Sequence, residues 1–352
     1  MAARRALVVG ASAVGLACAY RLLRSDWDVV LLPGPSSPPD LPEVLTGTGL
    51  DAARRLGLLP ELSERRQPRR DLVRVDTAGV PLGVRPRPKA HQLVLRQADV
   101  VEVLRGAVRD SVFRRDADLA ALSSDRYGTT VQFTDGDDDW FDLVIGAGGN
   151  ESGVGAAIPA AQHTSEWSLA SGVIDVPSTC AVAMDTSTRS VRLHPLHEGR
   201  SAVSFAWQHG PGTSWPGTFA DLGWLVPELV ARVDASEAVH RHTVSLAETN
   251  RWTEGSVVLL GNAAWCLGPH SGQEISLALG AAELLGDALD IHNDTNEALA
   301  WWERVLVPFV RRARARNQYE REATWDLPST RSENSTRSRT ISRRTIPSSS
   351  PS

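Results

Sequence analysis

Residues 6–32 read ALVVGASAVGLACAYRLLRSDWDVVLL and decide the fold. A short apolar run ends at Gly10, and after Gly15 the apolar residues recur at helical spacing. A second apolar run, Asp28 to Leu32, has the composition of a buried strand. The order strand, glycine turn, helix, strand is typical of a βαβ unit that binds a dinucleotide, because N–H groups at the helix N-terminus hold a pyrophosphate.

A secretory signal is the alternative interpretation of this stretch. Arg4 and Arg5 precede the apolar run, and residues 17–19 (ACA) imitate a small-residue cleavage site. A signal peptide does not need a second strand after a charged helical tail, so the pattern favours the βαβ unit.

The glycine turn departs from the usual pattern at two positions. Gly10 is predicted to make the tight turn and Gly15 to let the helix pack closely on the strand, but Ser12 stands at the middle glycine position. Pro33 follows the second strand, where an acidic residue usually accepts the ribose hydroxyls. A proline side chain cannot accept such a bond.

Composition limits the class of protein. The 352 residues are 42% hydrophobic and 22% charged, which allows about two domains, and the net charge of −5 gives no electrostatic reason to expect a nucleic acid or an anionic membrane as partner. No apolar run approaches the ~18 residues that span a bilayer. Three scattered cysteines predict neither a disulfide framework nor a metal site, and they indicate a reducing, cytoplasmic setting.

The hydrophobic pattern predicts further elements along the chain. Helices are expected at 48–59, 97–109, Ile275 to Ala288 and Trp301 to Tyr319, and strands at 71–96, in a hairpin over 129–146, in antiparallel runs between 170 and 210, and at Glu254 to Gly261. Two of these strands run into glycines, at Gly146 and Gly261. Residues 327–352 hold almost no apolar residues and are predicted to be disordered.

Three glycine-bearing junctions, separated by ~130 and ~110 residues, are a more specific signal than one glycine motif alone. On these motifs the chain resembles the single-component FAD-dependent aromatic hydroxylases, the para-hydroxybenzoate hydroxylase family, over residues 1 to about 320. The stretches that carry the resemblance are GASAVGL at 10–16, LVLRQADVVEVL at 93–104, DLVIGAGG at 142–149, LLGNAAWCLGPHSGQEISLAL at 259–279 and WERVLVPFV at 302–310.

The resemblance implies an α/β fold with a Rossmann-type FAD-binding domain and an antiparallel-sheet substrate domain. Residues 1–75, 96–160 and 250–325 are expected in the FAD-binding domain, and residues 76–95 and 161–249 in the substrate domain. The implied activity is that of a monooxygenase, which uses FAD, NADPH or NADH, and O2 to hydroxylate or oxidise an aromatic or polycyclic small molecule. The oligomeric state is left open.

The resemblance also implies the cofactor-binding residues. The pyrophosphate is expected at the first turn, Arg96 near the diphosphate and ribityl chain, and the third motif near the flavin; the residues concerned are Gly10, Ala11, Ser12, Ala13, Val14, Gly15, Arg96, Asn262, Pro269, Gly272 and Gln273. Arg96 has a second interpretation as a surface arginine that caps the following helix.

Every acidic residue of the family's FAD fingerprint is replaced in this chain. Gly148 and Asn262 stand where the family has Asp, although the amide oxygen of Asn262 can still accept one hydrogen bond. Glu274 stands where the family has Gly, near the helix N-terminus at which the flavin N1 and C2 carbonyl are expected. Its carboxylate either opposes the negative charge of reduced flavin or turns outward as an N-terminal helix acid.

Two functions therefore stay open at this point. The first is a working flavin monooxygenase that holds FAD by backbone contacts. The second is a flavin-free member of the fold, repurposed in secondary metabolism as a cyclase, an isomerase or a ligand-binding protein, with His270 and Glu274 as acid and base.

The predicted substrate domain contributes further candidates. His194 and His197 are expected in one strand, three positions apart, and so on opposite faces. Trp207, Trp215 and Trp224 favour a large, flat, apolar ligand, although core packing accounts for most tryptophans.

Overall fold

The computed structural model describes residues 3–34, 41–109, 112–115, 117–125, 127–149, 153–158, 162–208, 215–236, 239–248, 251–267 and 271–322. The strands are β1 (Arg5–Val9), β2 (Asp28–Leu32), β3 (Pro42–Leu45), β4 (Leu72–Val75), β5 (Pro81–Arg85), β6 (Leu93–Arg96), β7 (Phe113–Arg114), β8 (Leu119–Ser124), β9 (Thr129–Phe133), β10 (Asp138–Phe141), β11 (Leu143–Gly146), β12 (Gln162–Ile174), β13 (Ala181–Asp185), β14 (Arg189–Pro195), β15 (Ser201–Gln208), β16 (His240–Glu248), β17 (Thr253–Glu254) and β18 (Val257–Leu259). The helices are α1 (Ala13–Leu23), α2 (Gly47–Arg55), α3 (Leu59–Glu64), α4 (Gln97–Val108), α5 (Val226–Asp234), α6 (Glu274–Ile291) and α7 (Thr295–Glu322).

The first sheet confirms the βαβ unit predicted from residues 6–32. Its order is β17-β18-β11-β1-β2-β7, and every neighbouring pair except β17 with β18 is parallel. The chain passes from β1 to β2 on one side and later places β11 on the other side, so the carboxyl end of β1 is a topological switch point. Ligands of doubly wound sheets bind in the crevice at such a point.

The second sheet has the predominantly antiparallel arrangement expected for residues 170–210. Its order is β16-β12-β15-β14-β13-β4-β5, in which only β4 and β13 pair in parallel. This sheet takes in β4, so the chain enters it at Leu72, earlier than the expected residue 76. Each sheet has its own hydrophobic core, and Val73 and Val75 lie in the core of the second one.

The helix predicted over 48–59 is wrong as a single element. The structure has α2 over Gly47–Arg55 and a separate α3 that begins at Leu59. Gly57 lies between them with φ +75°, a left-handed conformation that ends a helix. By contrast, α4 matches the predicted 97–109 within a residue, and α6 and α7 extend the predicted helices at both ends.

The tryptophans of the second sheet pack in its core rather than toward a ligand. Trp207 and Trp215 lie against Phe205 and Phe219, with ring centroids between 4.9 and 5.9 Å apart. This cluster shares the core that α5 covers. Core packing therefore accounts for Trp207 and Trp215, and the expectation of a large, flat ligand stays a prediction.

None of the described helices combines the length and the apolar character that a membrane span requires. The three cysteines are free thiols, and Cys18 and Cys266 are buried.

Candidate functional site

The turn at the start of α1 joins the ends of β1 and β2. Gly10 has φ +113°, and its N–H donates to the carbonyl of Leu32 at 2.7 Å. The N–H of Ala11 donates to the carbonyl of Pro33 at 2.9 Å. Pro33 therefore contributes its backbone to the turn, while its side chain supplies no acceptor for a ribose.

Ser12, at the middle glycine position, is the N-cap of α1. Its hydroxyl accepts from the N–H of Gly15 at 3.4 Å and donates to the carbonyl of Ala147 at 2.8 Å. The serine is thus accommodated because its side chain bonds to the end of the neighbouring strand β11. The other N–H groups at the start of an α-helix have no intrahelical acceptor, and such groups bind anions.

The three glycine junctions meet at this turn. A Cβ on Gly15 would lie 2.0 Å from the carbonyl oxygen of Gly10, and one on Gly10 would lie 2.4 Å from the nitrogen of Gly148. A Cβ on Gly261 would lie 2.8 Å from Cγ1 of Val14. The backbone contacts show that the ends of β1, β11 and β18 converge on the N-terminus of α1.

Other glycines at this edge leave room for a ligand. A Cβ on Gly34 would meet only Cα of Gly10, at 3.9 Å, and beside Gly149 and Gly272 there is open space. All three have positive φ, a conformation that side chains disfavour. The open backbone around the free helix N-terminus fits the pyrophosphate of a dinucleotide such as FAD.

Helices α1, α2 and α6 begin at the same edge of the first sheet. A Cβ on Gly49, early in α2, would lie 2.4 Å from Cα of Ser276, and Arg55, at the end of α2, pairs with Glu283 at 3.2 Å. These contacts make α2 and α6 parallel. Arg21, near the end of α1, pairs with the same Glu283 at 3.4 Å, so the N-terminus of α6 lies at the end of the layer where α1 begins.

Strand β3 fastens the N-terminus of α6 and brings a buried carboxyl group to it. Glu43 is 7% exposed, and its Oε2 accepts from the N–H of Ile275 at 2.8 Å. Glu43 is not among the site residues predicted from the sequence. Its only signal was a single acid in an otherwise apolar run, Pro42 to Leu45, directly before a helix.

Glu274 is the first residue of α6 and is half-buried. Its Oε2 accepts from the N–H of Gln273 at 3.2 Å, and burial raises the pKa of its carboxyl group. Burial and the neighbouring charge of Glu274 raise the pKa of Glu43 well above its ordinary value. Glu274 is thus an N-terminal helix acid that stays half-buried, and its carboxyl group lies at the same helix end as that of Glu43.

Arg96 ends β6, which pairs with β3, and so lies next to Glu43 along the sheet. It is the N-cap residue of α4 but makes no side-chain capping bond there, and its side chain is 22% exposed with Nε 3.5 Å from Asp99 in the first turn of α4. Its role at the cofactor therefore stays a prediction. Asn262 is exposed directly after Gly261, and Gln273 is the exposed N-cap residue of α6. Pro269 and His270 lie outside the described residues, so their roles stay predictions.

The inner face of the second sheet is the face that contacts Cys266, through Trp167, Leu169 and Ala206. The register places His194 opposite Ala202 on this same face. His194 is half-buried, and burial with the nearby charge of Arg192 lowers its pKa to about 4. His194 is therefore neutral near pH 7.

His197 is not in the strand, contrary to the prediction. β14 ends at Pro195, and His197 is exposed in a short turn where its Nε2 lies 2.9 Å from the carbonyl oxygen of Arg66. The strand ends at Pro195 because His197–Gly199 form the turn that leads into β15.

Comparison with known proteins agrees with this geometry. The model of the FAD binding domain family matches residues 4–293. A flavin-dependent monooxygenase from Legionella longbeachae serogroup 1 is 25% identical over 86% of this chain and 85% of its own length. Among solved structures, tetracycline destructase Tet(51) superposes with TM-score 0.75 and 20% identity over 92% of this chain and 91% of its own. Klebsiella pneumoniae HpxO, solved with FAD and uric acid, gives TM-score 0.74 and 21% identity over the same shares.

The match over most of the chain shows that the protein belongs to the FAD binding domain family. It is an oxidoreductase of the FAD-dependent monooxygenase type, with the fold of the para-hydroxybenzoate hydroxylases and with FAD as its cofactor. The flavin-free alternative is not favoured by these findings.

Replacement of Ser12 by alanine tests how the turn is held together. The change removes the N-cap of α1 and the bond to Ala147, so we expect a loss of about 1–2 kcal/mol in the free energy of unfolding in urea. Ser63→Ala is the control, since its hydroxyl only bonds back to the carbonyl of Leu59 within α3 and should change stability by less than about 0.5 kcal/mol. Equal effects of the two changes would contradict this role of Ser12.

Proposed function

We propose that the protein uses NADH or NADPH and O2 to hydroxylate or oxidise a ring-bearing small molecule, aromatic or polycyclic. The observation that carries the proposal is the convergence of three strand ends on the free N-terminus of α1. Relatives and structural neighbours support it. HpxO is solved with uric acid, another neighbour is named a tetracycline destructase, and a third is named 2-methyl-3-hydroxypyridine-5-carboxylic acid oxygenase.

Bound FAD supplies electron transfer from the nicotinamide and the activation of O2. The chain supplies binding and exclusion of water. The first turn of α1 would hold the pyrophosphate by its N–H groups, Arg96 would contribute a positive charge, and Asn262 would offer an acceptor. Gly272 and Gln273 provide backbone at the start of α6.

Residues 265–267, the last described ones before the loop to α6, are held in place by buried tryptophans and by α7. Trp265 packs on Trp252 at 4.9 Å between ring centroids and on Trp302 at 6.1 Å. The carbonyl of Cys266 accepts from Nε of Arg314 at 3.1 Å, and Asn317 donates to the carbonyl of Leu267. Helix α7 therefore fixes the segment that leads to the flavin end of the site.

The substrate is proposed to lie against the inner face of the second sheet. The charge of Arg192 on this face is balanced by Asp185, which lies 2.8 Å from it, and Arg192 also donates to Ser190 at 2.8 Å. His194 is neutral and can exchange a hydrogen bond with an uncharged ring substituent. These groups suit a neutral, ring-bearing substrate rather than a strongly anionic one.

We keep the division into an FAD-binding and a substrate domain as a proposal, with β4 assigned to the substrate domain. The support is that Val73 and Val75 of β4 lie in the second core, whereas Leu95 of β6 lies in the first.

The test is to purify the full chain and titrate it with FAD, following flavin absorbance and the quenching of flavin fluorescence. We expect stoichiometric uptake of FAD and, in the loaded protein, consumption of NADH or NADPH that a panel of neutral aromatic and polycyclic compounds accelerates. Colourless protein that takes up no FAD would overturn the proposed function. Uptake without any stimulation by the panel would overturn the substrate class alone.

A further inference from the structure

Two carboxyl groups from distant parts of the chain meet at the N-terminus of α6. Glu43 comes from β3 and accepts from the N–H of Ile275 at 2.8 Å. Glu274 is the first residue of the helix and accepts from the N–H of Gln273. Glu43 is buried and Glu274 half-buried, so water solvates their charges only in part.

The position of Glu43 is fixed by the bonds that its strand makes. The N–H of Val44 donates to the carbonyl of Gly272 at 3.2 Å, and the hydroxyl of Ser276 donates to the carbonyl of Val44 at 2.9 Å. The N–H of Thr46 in turn donates to the Ser276 hydroxyl at 3.0 Å. These bonds join strand and helix at the positions directly after Glu43, and the carboxyl group of Glu43 cannot turn to water without losing the N–H of Ile275.

The described elements around the pair offer little compensating charge. From β6 and α4 come Arg96 and Asp99, which lie 3.5 Å from each other. From α2 come Asp51 and Arg54, an exposed pair joined at 2.7 Å. The loop before α6 offers the hydroxyl of Ser271, which bonds to Glu274.

The charged group that acts on Glu43 is Glu274. Hydrogen bonds from the N–H groups of Glu274 and Ile275 favour the ionised form of Glu43, but burial outweighs them. Two neighbouring carboxyl groups in such surroundings resist losing both protons.

The pair stands at the edge where an anionic dinucleotide binds. The N-terminus of α6 lies at the same end of the helix layer as that of α1, and a positive helix end attracts anions only while no excess negative charge occupies it. When both carboxyl groups are ionised, their two negative charges repel the anionic FAD. When one of them keeps its proton, the pair carries one negative charge and the repulsion is weaker.

We propose that Glu43 and Glu274 share one proton at the N-terminus of α6, and that this proton links FAD binding to pH, so that the affinity for FAD falls as the pair ionises. Glu43 acts in this as a positioning residue, since it also holds the helix end on β3. By linkage, FAD binding strengthens the hold of the pair on its proton to the same extent. The link to FAD rests on the proposed function, but the shared proton does not.

The first measurement is the FAD Kd of the full chain between pH 5.5 and 8.5, by flavin fluorescence. We expect the wild-type Kd to rise with pH, by at most about tenfold per pH unit because one proton is involved. In Glu43→Gln and Glu274→Gln the pair cannot ionise twice, so their Kd should change less than about twofold over the range. Glu102→Gln is the control, because Glu102 lies exposed on α4 and pairs with Arg65. This variant should show the same dependence of the FAD Kd on pH as the wild type.

A second measurement tests the shared proton without FAD. A carboxyl group whose pKa is raised in the folded state holds its proton at pH values where the unfolded chain has already lost it. Its contribution to the free energy of unfolding is therefore fully present below the ordinary glutamate pKa. The contribution is lost as the pH rises through the raised pKa of the folded state. The wild-type urea midpoint should therefore fall as pH rises through this window, and it should fall less in both Gln variants.

The outcomes are separable. A wild-type Kd independent of pH, or Gln variants that keep the wild-type slope, would overturn the proton-linked binding. If the chain takes up no FAD at any pH, the proposed function fails, and the urea series still decides the shared proton. If the Gln variants do not fold, infrared difference spectra of the wild type across the titration decide it, since a carboxylic acid carbonyl band must be lost as pH rises.

Discussion

Gly15→Ala should abolish tight FAD binding and destabilise the fold. The new Cβ would lie 2.0 Å from the carbonyl oxygen of Gly10 and 3.0 Å from Cβ of Ala147, and neither backbone can yield without moving α1 off β1. We expect a loss of about 3 kcal/mol in the free energy of unfolding. The displaced helix end should also raise the FAD Kd by about 100-fold, which corresponds to nearly 3 kcal/mol.

The matched control is Gly106→Ala in α4. Gly106 is exposed in the last turn of α4, and a Cβ there meets nothing within 4 Å. Alanine should stabilise the protein by up to about 0.5 kcal/mol, because glycine is a poorer helix former than alanine, and it should leave the FAD Kd unchanged. Urea unfolding and FAD titration of both variants provide the comparison. A Gly15→Ala protein as stable as Gly106→Ala would show that the turn is not packed as described.

Trp302→Ala should produce the second large effect, a loss of about 3–5 kcal/mol in stability. Trp302 is 0% exposed, its Nε1 donates to the carbonyl of Ala281 at 3.0 Å, and its ring packs on Trp252 and Trp265. The cavity left behind would also loosen Trp265, and with it the loop that leads to α6. We therefore expect weaker FAD binding besides the lower urea midpoint, followed by circular dichroism.

Trp140→Ala is the control for this change. Trp140 is 42% exposed on β10, so its loss should cost less than about 1.5 kcal/mol and should not alter FAD binding. If Trp302→Ala loses stability but binds FAD normally, Trp302 packs in the core as described but does not position the chain that leads from Trp265 to α6.

Short-range patterns in the sequence were sufficient for most elements of the first sheet and its helices. The glycine spacing at residues 10–15 and the apolar runs on either side predicted β1, α1 and β2, since periodicity and positive φ are local properties. Pattern reasoning failed at 48–59, where Gly57 takes a left-handed conformation that the residue type permits but does not require. It failed again at His197, where alternation continued past the end of the strand.

The site was only partly predictable. The chain order of the glycine junctions indicated a dinucleotide site, and the close approaches of Gly10 to Gly148 and of Gly261 to Val14 agree with it. The third motif pointed to Glu274 but not to its partner. Nothing within a few residues of Glu43 marks it as a neighbour of α6, because that contact joins segments more than two hundred residues apart.

The sequence by itself determined the βαβ unit, the order of the elements and the loss of the family's acidic FAD contacts, because each depends on residue type at a given spacing. Only the tertiary structure decided where the side chains point. In the tertiary structure the Ser12 hydroxyl bonds to the carbonyl of Ala147, and Trp207 is buried in the core that α5 covers. Glu43 and Glu274 come together at the start of α6. The physical reason is that burial and the interaction of two charges depend on distance in space, which separation along the chain does not specify.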